Sequence, residues 1–367
     1  MQIDPFLECI RDKLDRKESL SLEDGMQLYA CPDLTGLGYL ANEVRERKNG
    51  DNTYYVVNLH INYTDVCINR CGFCAYSKDQ DEEGAFTLTV EDILEKARTQ
   101  MPDGATEIHI VGGLHPDLPF EYYRDMLLGL KELYPTVHIQ AFTAVEIAHI
   151  ADVSGMSIIQ TLEKLREAGL GSLPGGGAEI FDPEIRQVMC PKKLSGRAWI
   201  RVTGTAHTLG IQSNATMLYG HKENPRQRIE HMIQLRELQD VTGGFMSFIP
   251  LAFHSRGTQF EDIPPTSGIL DLKTLAISRL MLDNFDHIKA FWIMLGLKMA
   301  QVSLALGIDD LDGTVTEEKI THSAGAATPQ RLSVSEIKRL IREAGRIPVE
   351  RDTVYRTENL KKVHVKN

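Results

Sequence analysis

Three cysteines, Cys67, Cys71 and Cys74, stand at the spacing C-x3-C-x2-C in the run DVCINRCGFCAYS. Thiolates are soft donors that select zinc, copper(I) or iron–sulfur clusters, so three on one short loop point first to a metal. A structural zinc site closes with a fourth Cys or His, and an electron-transfer [4Fe–4S] cluster closes with a fourth Cys. No such ligand is evident, because Cys9, Cys31 and Cys190 are remote in sequence and show no paired spacing. A [4Fe–4S] cluster on three thiolates keeps one iron open, and an open metal position is where substrate chemistry takes place. The spacing alone leaves two other readings in place: a zinc site completed by a distant ligand, and three unrelated thiols.

Further candidates lie along the chain. Gly112 and Gly113 in HIVGGLHP follow a predicted strand, where glycine permits unusual backbone angles and close approach to a ligand. The run SLPGGGAEI lacks the Lys and Ser/Thr of a nucleotide P-loop, but its glycines let backbone pass near a ligand, and Glu179 can accept from a ribose hydroxyl. Arg279 is a lone cation in the apolar segment AISRLMLDNF; it either pairs with Asp283, four residues on, or awaits an anionic ligand. His254 follows the strand-like FMSFIPLAF, and His322 lies in THSAGA. No two histidines have the spacing of a zinc motif such as H-E-x-x-H.

These residues need elements to place them. Ile3, Phe6, Ile10 and Leu14 recur at helical spacing, and Ser21 followed by Asp24 marks a second helix start, so residues 1–50 read as a helical extension. From Tyr54 strands and helices alternate: a strand Tyr54–Ile61 into the cysteine loop, a helix from Thr89, a strand Glu107–Val111, and so on to Phe253. Such alternation predicts an α/β fold with a parallel sheet. About six units fit, fewer than the eight of a closed barrel, which predicts a partial (β/α)6 TIM-type barrel over residues 51–270. Residues 271–367 read as a C-terminal helical extension, including HIKAFWIMLGLKMAQVSLALG and a helix Ser333–Arg342, with a loosely held polar tail.

Composition limits the function class. The formal net charge of -11 on 367 residues argues against non-specific binding to nucleic acid or an anionic membrane. The start MQIDPFLECIRDKLDRKE lacks a signal-peptide core, and no apolar run approaches the roughly 20 residues of a membrane span. Free thiols require a reducing compartment, so a cytoplasmic location is expected.

With its aromatic neighbours the loop reads C-x3-C-x-Phe-C-x-Tyr, which resembles the cluster loop of the radical S-adenosylmethionine (SAM) superfamily. The resemblance implies that Cys67, Cys71 and Cys74 hold a [4Fe–4S] cluster whose open iron is chelated by SAM. It implies that Phe73 shields the cluster, that backbone at Tyr76 meets the adenine, and that backbone at Gly112 and Gly113 receives the SAM amino group. Leu114 stands where many members have Glu, and TMLYGHKE only approximates their G-x-I-x-G-x-x-E pattern. The segments GGLHP, SLPGGGAEIFDPEIR, SNATMLYGH, FWIM, THSAGA and RIPVERDTVY resemble the aminodeoxyfutalosine synthases within that superfamily. That likeness implies radical addition of the 5′-deoxyadenosyl group to an aryl enolpyruvyl ether dicarboxylate, in menaquinone biosynthesis. It also implies an electron from flavodoxin or ferredoxin; a substrate with two carboxylates calls for cationic or donating groups, and Arg279, His254 and His322 are the candidates that their places in the chain offer. The cyclic dehypoxanthine futalosine synthases and F0 synthases, which abstract hydrogen, share several of these segments, and a non-catalytic metal-cluster protein is the third reading.

Overall fold

Helix starts are encoded locally. In the computed structural model, which describes residues 4–316 and 318–363, Asp4, Ser21 and Asp33 cap α1 (Pro5–Asp15), α2 (Leu22–Ala30) and α3 (Leu34–Asn49). Ser21 and Asp24 form the expected capping box, a feature that stabilises a helix by about 1 kcal/mol. Ile3 lies outside the described residues. The apolar faces bury Leu7, Ile10, Leu28 and Leu37 in the one large core that also runs through the barrel.

The expected single strand Tyr54–Ile61 is two strands, β1 (Asn52–Val56) and β2 (Asn58–Asn62), because hydrogen-bonding partners change at Val57. The Val56 carbonyl accepts from Thr314 N (3.1 Å), whereas the Val57 carbonyl accepts from Thr106 N (3.0 Å). All residues from Tyr55 to Ile61 are buried, so no alternation in the sequence marks the break.

β2 opens a seven-stranded parallel sheet that continues in chain order through β3 (Glu107–Val111), β4 (His138–Ala141), β5 (Ser172–Leu173), β6 (Gln212–Tyr219), β7 (Phe245–Ala252) and β8 (His287–Ile288). The partial barrel is therefore as expected through its first six strands, and β8 adds a seventh. β1 belongs to a second parallel sheet, between β9 (Asp310–Gly313) and β10 (Ile347–Glu350).

The C-terminal third is thus not purely helical. Helix Gly268–Met281 forms as anticipated, but HIKAFWIMLGLKMAQVSLALG begins with β8 and continues as two short helices, Trp292–Leu295 and Leu297–Ser303, parted at Gly296 with φ +78. β8 completes the barrel sheet and β1 pairs with C-terminal strands, so the extension expected from residue 271 shares both sheets with the residues before it. The seam between the first and last barrel strands is filled by β9: Ala290 N donates to Asp310 O (2.9 Å), Tyr54 N to Asp309 O (2.7 Å) and Val315 N to Asn58 Oδ1 (3.0 Å). The tail is bonded as far as Val363, whose N donates to Ala105 O (3.0 Å), while residues 364–367 lie outside the described residues.

Candidate active site

The carboxyl ends of parallel barrel strands leave backbone and loops free to line a pocket, and here they enclose one of about 330 Å³. Cys67, Cys71 and Cys74 all border it, with Phe73, Gly112 and Gly113. Their loop leaves β2 and is pinned by backbone bonds: Cys67 N to Lys78 O (3.0 Å), Ile68 N to Leu114 O (3.1 Å) and Gly72 N to Met189 O (3.0 Å). Gly113 is required by close approach, not by an unusual angle. A Cβ there would lie 2.1 Å from Val66 O and 3.0 Å from Cys67 Cβ, and neither glycine of the pair has positive φ. Gly113 is thus the bed on which the cysteine loop rests, while Gly112 makes room for the Tyr63 ring, 2.7 Å from where its Cβ would lie.

All six cysteines are free. The Cys71 thiol packs in one buried cluster with Cys190, which sequence separation had set aside, and this neighbouring thiol together with burial pushes Cys71 up. Among the described residues no three His, Cys, Asp or Glu side chains stand converged for a metal ion. The donor set nevertheless fits the expected cluster, with three disulfide-free thiols of one loop bordering one cavity. Tyr76, on the same wall, is buried with an Oη that lacks a partner among the described residues, as a wall awaiting a ligand would present.

Near the loop, Glu179 borders the cavity at φ +51, and its carboxylate accepts from Lys193 Nζ at 2.6 Å. Lys193 also stands 5.2 Å from the Phe73 ring centroid. Burial disfavours its charge, but Glu179 and the thiols of Cys71 and Cys190 outweigh that and raise it. Neither Lys193 nor Cys190 carried a sequence signal; both arrive on the loop after helix Pro183–Met189. Glu146 is another cavity residue that sequence reading missed. It accepts from Gly112 N (3.0 Å), Tyr63 Oη (2.8 Å) and Thr143 N (2.7 Å). The T-x-x-E capping pattern from Thr143 was the available signal.

The three residues expected at the substrate separate. His254 borders the cavity, its Nε2 donating to Met294 O at 2.9 Å. His322 does not reach it with a free nitrogen: Nδ1 donates to Glu318 O (2.6 Å) and Nε2 to Thr328 O (3.1 Å), and the Glu318 carboxylate, 3.3 Å from Nδ1, with these bonds holds the ring protonated up to about 9. Its neighbours Glu318 and Thr321 border the cavity instead. Arg279 is fully buried and remote from the cavity lining. It is not paired with Asp283, whose carboxylate takes Ser19 Oγ at 3.0 Å, but with Asp309, and it also donates to the carbonyls of Gly307 (2.8 Å) and Asp286 (3.1 Å). A buried guanidinium must satisfy its donors, and this one does so by tying helix Gly268–Met281 to the segment before β9. TMLYGHKE divides: Thr216 and Leu218 border the cavity, whereas Glu223 is structural, accepting from Gly220 N and His221 N and pairing with Arg228 at 2.6 Å.

The walls are apolar, from Val111, Val145, Leu218, Ile249 and Leu251, whereas the floor is polar, from His60, His109 and Asp312. Among the described residues no helix is long and apolar enough to cross a membrane.

Residues 61–235 match the family model described as the radical SAM superfamily, and residues 242–364 match that described as the CofH/MqnC C-terminal region. The chain is 47% identical to an aminodeoxyfutalosine synthase of Thermus thermophilus, over 96% of each chain. It is 44% identical to one of Streptomyces coelicolor, over 94% of this chain and 92% of that protein. A 5-amino-6-(D-ribitylamino)uracil–L-tyrosine 4-hydroxyphenyl transferase of Methanothermobacter thermautotrophicus is 41% identical over 92% and 94%. Among solved structures, methylornithine synthase superposes with a TM-score of 0.74 at 20% identity, covering 93% of this chain and 97% of that one, which bears on the fold alone.

Proposed function

The chain belongs to the radical SAM superfamily, in the group carrying the CofH/MqnC C-terminal region, and from that premise we propose that it is an aminodeoxyfutalosine synthase. It joins the 5′-deoxyadenosyl group of SAM to the enolpyruvyl carbon of 3-[(1-carboxyvinyl)oxy]benzoate, with aryl migration and loss of carbon dioxide, giving 6-amino-6-deoxyfutalosine and methionine. The observation that carries this reading is the near full-length identity to two enzymes of that name.

Cys67, Cys71 and Cys74 hold the [4Fe–4S] cluster, which when bound supplies one electron, drawn from a carrier such as flavodoxin or ferredoxin, to cleave SAM. The chain's own residues position and exclude. The glycine bed fixes the cysteine loop, and the backbone of Gly112 and Gly113 with Tyr76 receives SAM. Glu179, already paired with Lys193, offers its second carboxylate oxygen to a ribose hydroxyl. His254 offers Nδ1 to the substrate, because its Nε2 is committed to Met294. Apolar walls keep water and stray hydrogen donors from the reacting carbons, and holding two reactants in register is the larger part of the catalysis.

The test is anaerobic reconstitution with iron and sulfide, then reductant, SAM and substrate. The synthase reading expects 6-amino-6-deoxyfutalosine and methionine in equal amounts, and no turnover in Cys67→Ala, Cys71→Ala or Cys74→Ala. Full activity in a cluster-free variant refutes it. The 41% identity to a 4-hydroxyphenyl transferase favours a second reading, coupling of tyrosine to 5-amino-6-(D-ribitylamino)uracil, which the same preparation tests by offering those substrates.

A further inference from the structure

The cavity floor carries two nitrogens that the fold leaves unused. His60 on β2 and His109 on β3 are register partners whose rings stack with centroids 4.4 Å apart and planes 10° apart. Both border the cavity, two residues below the strand end at Asn62 and Val111, or about 7 Å beneath the mouth.

Their neighbours set their tautomers. The Asn58 amide oxygen accepts from Val315 N (3.0 Å), so its nitrogen, which donates to Glu107 Oε1 (3.0 Å), also faces His60 Nε2 (3.3 Å) as a donor. His60 therefore accepts at Nε2 and carries its proton on Nδ1. Gln140 donates from Nε2 to Ser172 Oγ (3.1 Å), so its oxygen receives His109 Nδ1 (3.2 Å), and His109 Nε2 is a bare lone pair. Neither His60 Nδ1 nor His109 Nε2 has a partner among the described residues. The pair thus presents one donor and one acceptor, the complement of a carboxyl group together with its proton.

Resting on the synthase reading, we propose that His60 and His109 seat the ring carboxylate of the substrate and that one proton is taken up as it binds. The enolpyruvyl group must lie at the cysteine end, where the new bond forms, so the carboxylate across the aromatic ring is carried down the apolar walls to this floor. The proton follows from charge. Charged and titratable groups facing the pair are Glu107 on the same strand, His138 on β4, Lys289 beyond β8, Asp312 of β9 and Arg351 beyond β10. Arg351 is already bound to Asp310 at 2.6 Å, and Lys289 stands 3.6 Å from Asp312. With those two cations each matched to an aspartate, Glu107 leaves the layer one net negative charge, held ionised by the surrounding cations and the Asn58 amide, and burial holds both imidazoles neutral. A further anion enters such a layer only with a proton, whether the proton settles on His109 Nε2 or stays on the carboxyl.

The experiment is titration calorimetry on the reconstituted enzyme with SAM, in buffers of different ionisation enthalpy at pH 8. The ligands are 3-[(1-carboxyvinyl)oxy]benzoate and the analogue lacking the ring carboxylate. Expected are uptake of close to one proton with the benzoate and none with the analogue, and about 10- to 100-fold weaker binding of the analogue. His109→Phe, which keeps the ring stack, should bring the two affinities within about threefold and abolish the uptake, with iron content and SAM affinity unchanged. Preference and uptake persisting in that variant overturn the proposal, as does a wild-type enzyme that binds the benzoate without taking up a proton. Should the variant fail to fold, the wild-type contrast between the two ligands decides. Turnover of the benzoate without these effects removes this inference alone, whereas binding of neither compound removes the synthase reading with it.

Discussion

Replacing Gly113 by alanine tests whether this glycine is a bed for the cysteine loop. The new Cβ would sit 2.1 Å from Val66 O and 2.8 Å from Val66 C, both backbone atoms, and 3.0 Å from Cys67 Cβ. An ordinary carbon–oxygen contact is about 3.3 Å, so the loop must move by about 1 Å at its first cysteine. Overpacking of this kind costs about 1–3 kcal/mol, and a displacement of that size at a reacting centre costs about 100-fold in rate. Because Gly113 lacks positive φ, no backbone strain adds to the clash. The assay is iron and sulfide per chain after reconstitution, SAM affinity and Tm. Iron content, affinity and rate are all expected to fall together, whereas an effect on SAM alone would mean the loop yields at no cost. Gly50→Ala is the control: with φ +57 and nothing within 4 Å, it should lower Tm slightly and leave iron content untouched. Wild-type iron content and rate in Gly113→Ala would refute the bed.

Arg279→Met should destabilise the fold by about 3–5 kcal/mol, because it leaves Asp309 buried without its main partner, while the folded fraction keeps the substrate KM. A raised KM at unchanged Tm would return Arg279 to the substrate. His322 is raised from 6.5 to about 9 in the fold, chiefly by its bond to Glu318, so its stabilisation is complete below pH 6.5 and is lost as pH rises through about 9. The Tm difference between wild type and His322→Gln should therefore be larger at pH 6 than at pH 10, and a difference independent of pH would contradict the assignment. Cys9, exposed and far from the loop, should tolerate alanine without loss of iron.

Local signals in the chain were the dependable ones. The Ser21–Asp24 capping box, the strand Glu107–Val111 and the helix after Thr89 stand where their residues predict, because caps and short buried strands are specified by neighbours in sequence. The three cysteines with Phe73, Tyr76, Gly112, Gly113, Glu179 and His254 all border one cavity. What stayed hidden depends on distant partners. Arg279 read as either a ligand anchor or a mate for Asp283; thirty residues on, Asp309 takes it, and no helical spacing could announce that. The split at Val57 was invisible because both halves are buried, and Lys193 and Cys190 reach the site on a loop without any motif. The His60–His109 pair reads as ordinary strand residues until the register of β2 on β3 stacks them.

The seam filled by β9 also imposes an order on synthesis. β1 and β2 leave the ribosome about 250 residues before β9 and β10, which flank β1 and come only from Asp310 onward. Until those residues are made, β1 has no sheet at all and the seam beside β2 stays uncovered. Unpaired edges of this kind are where nascent chains stick to one another. The cysteine loop is thus complete long before the enclosure around it, and a chain released after Ala252 would carry every thiol yet could not shut out water.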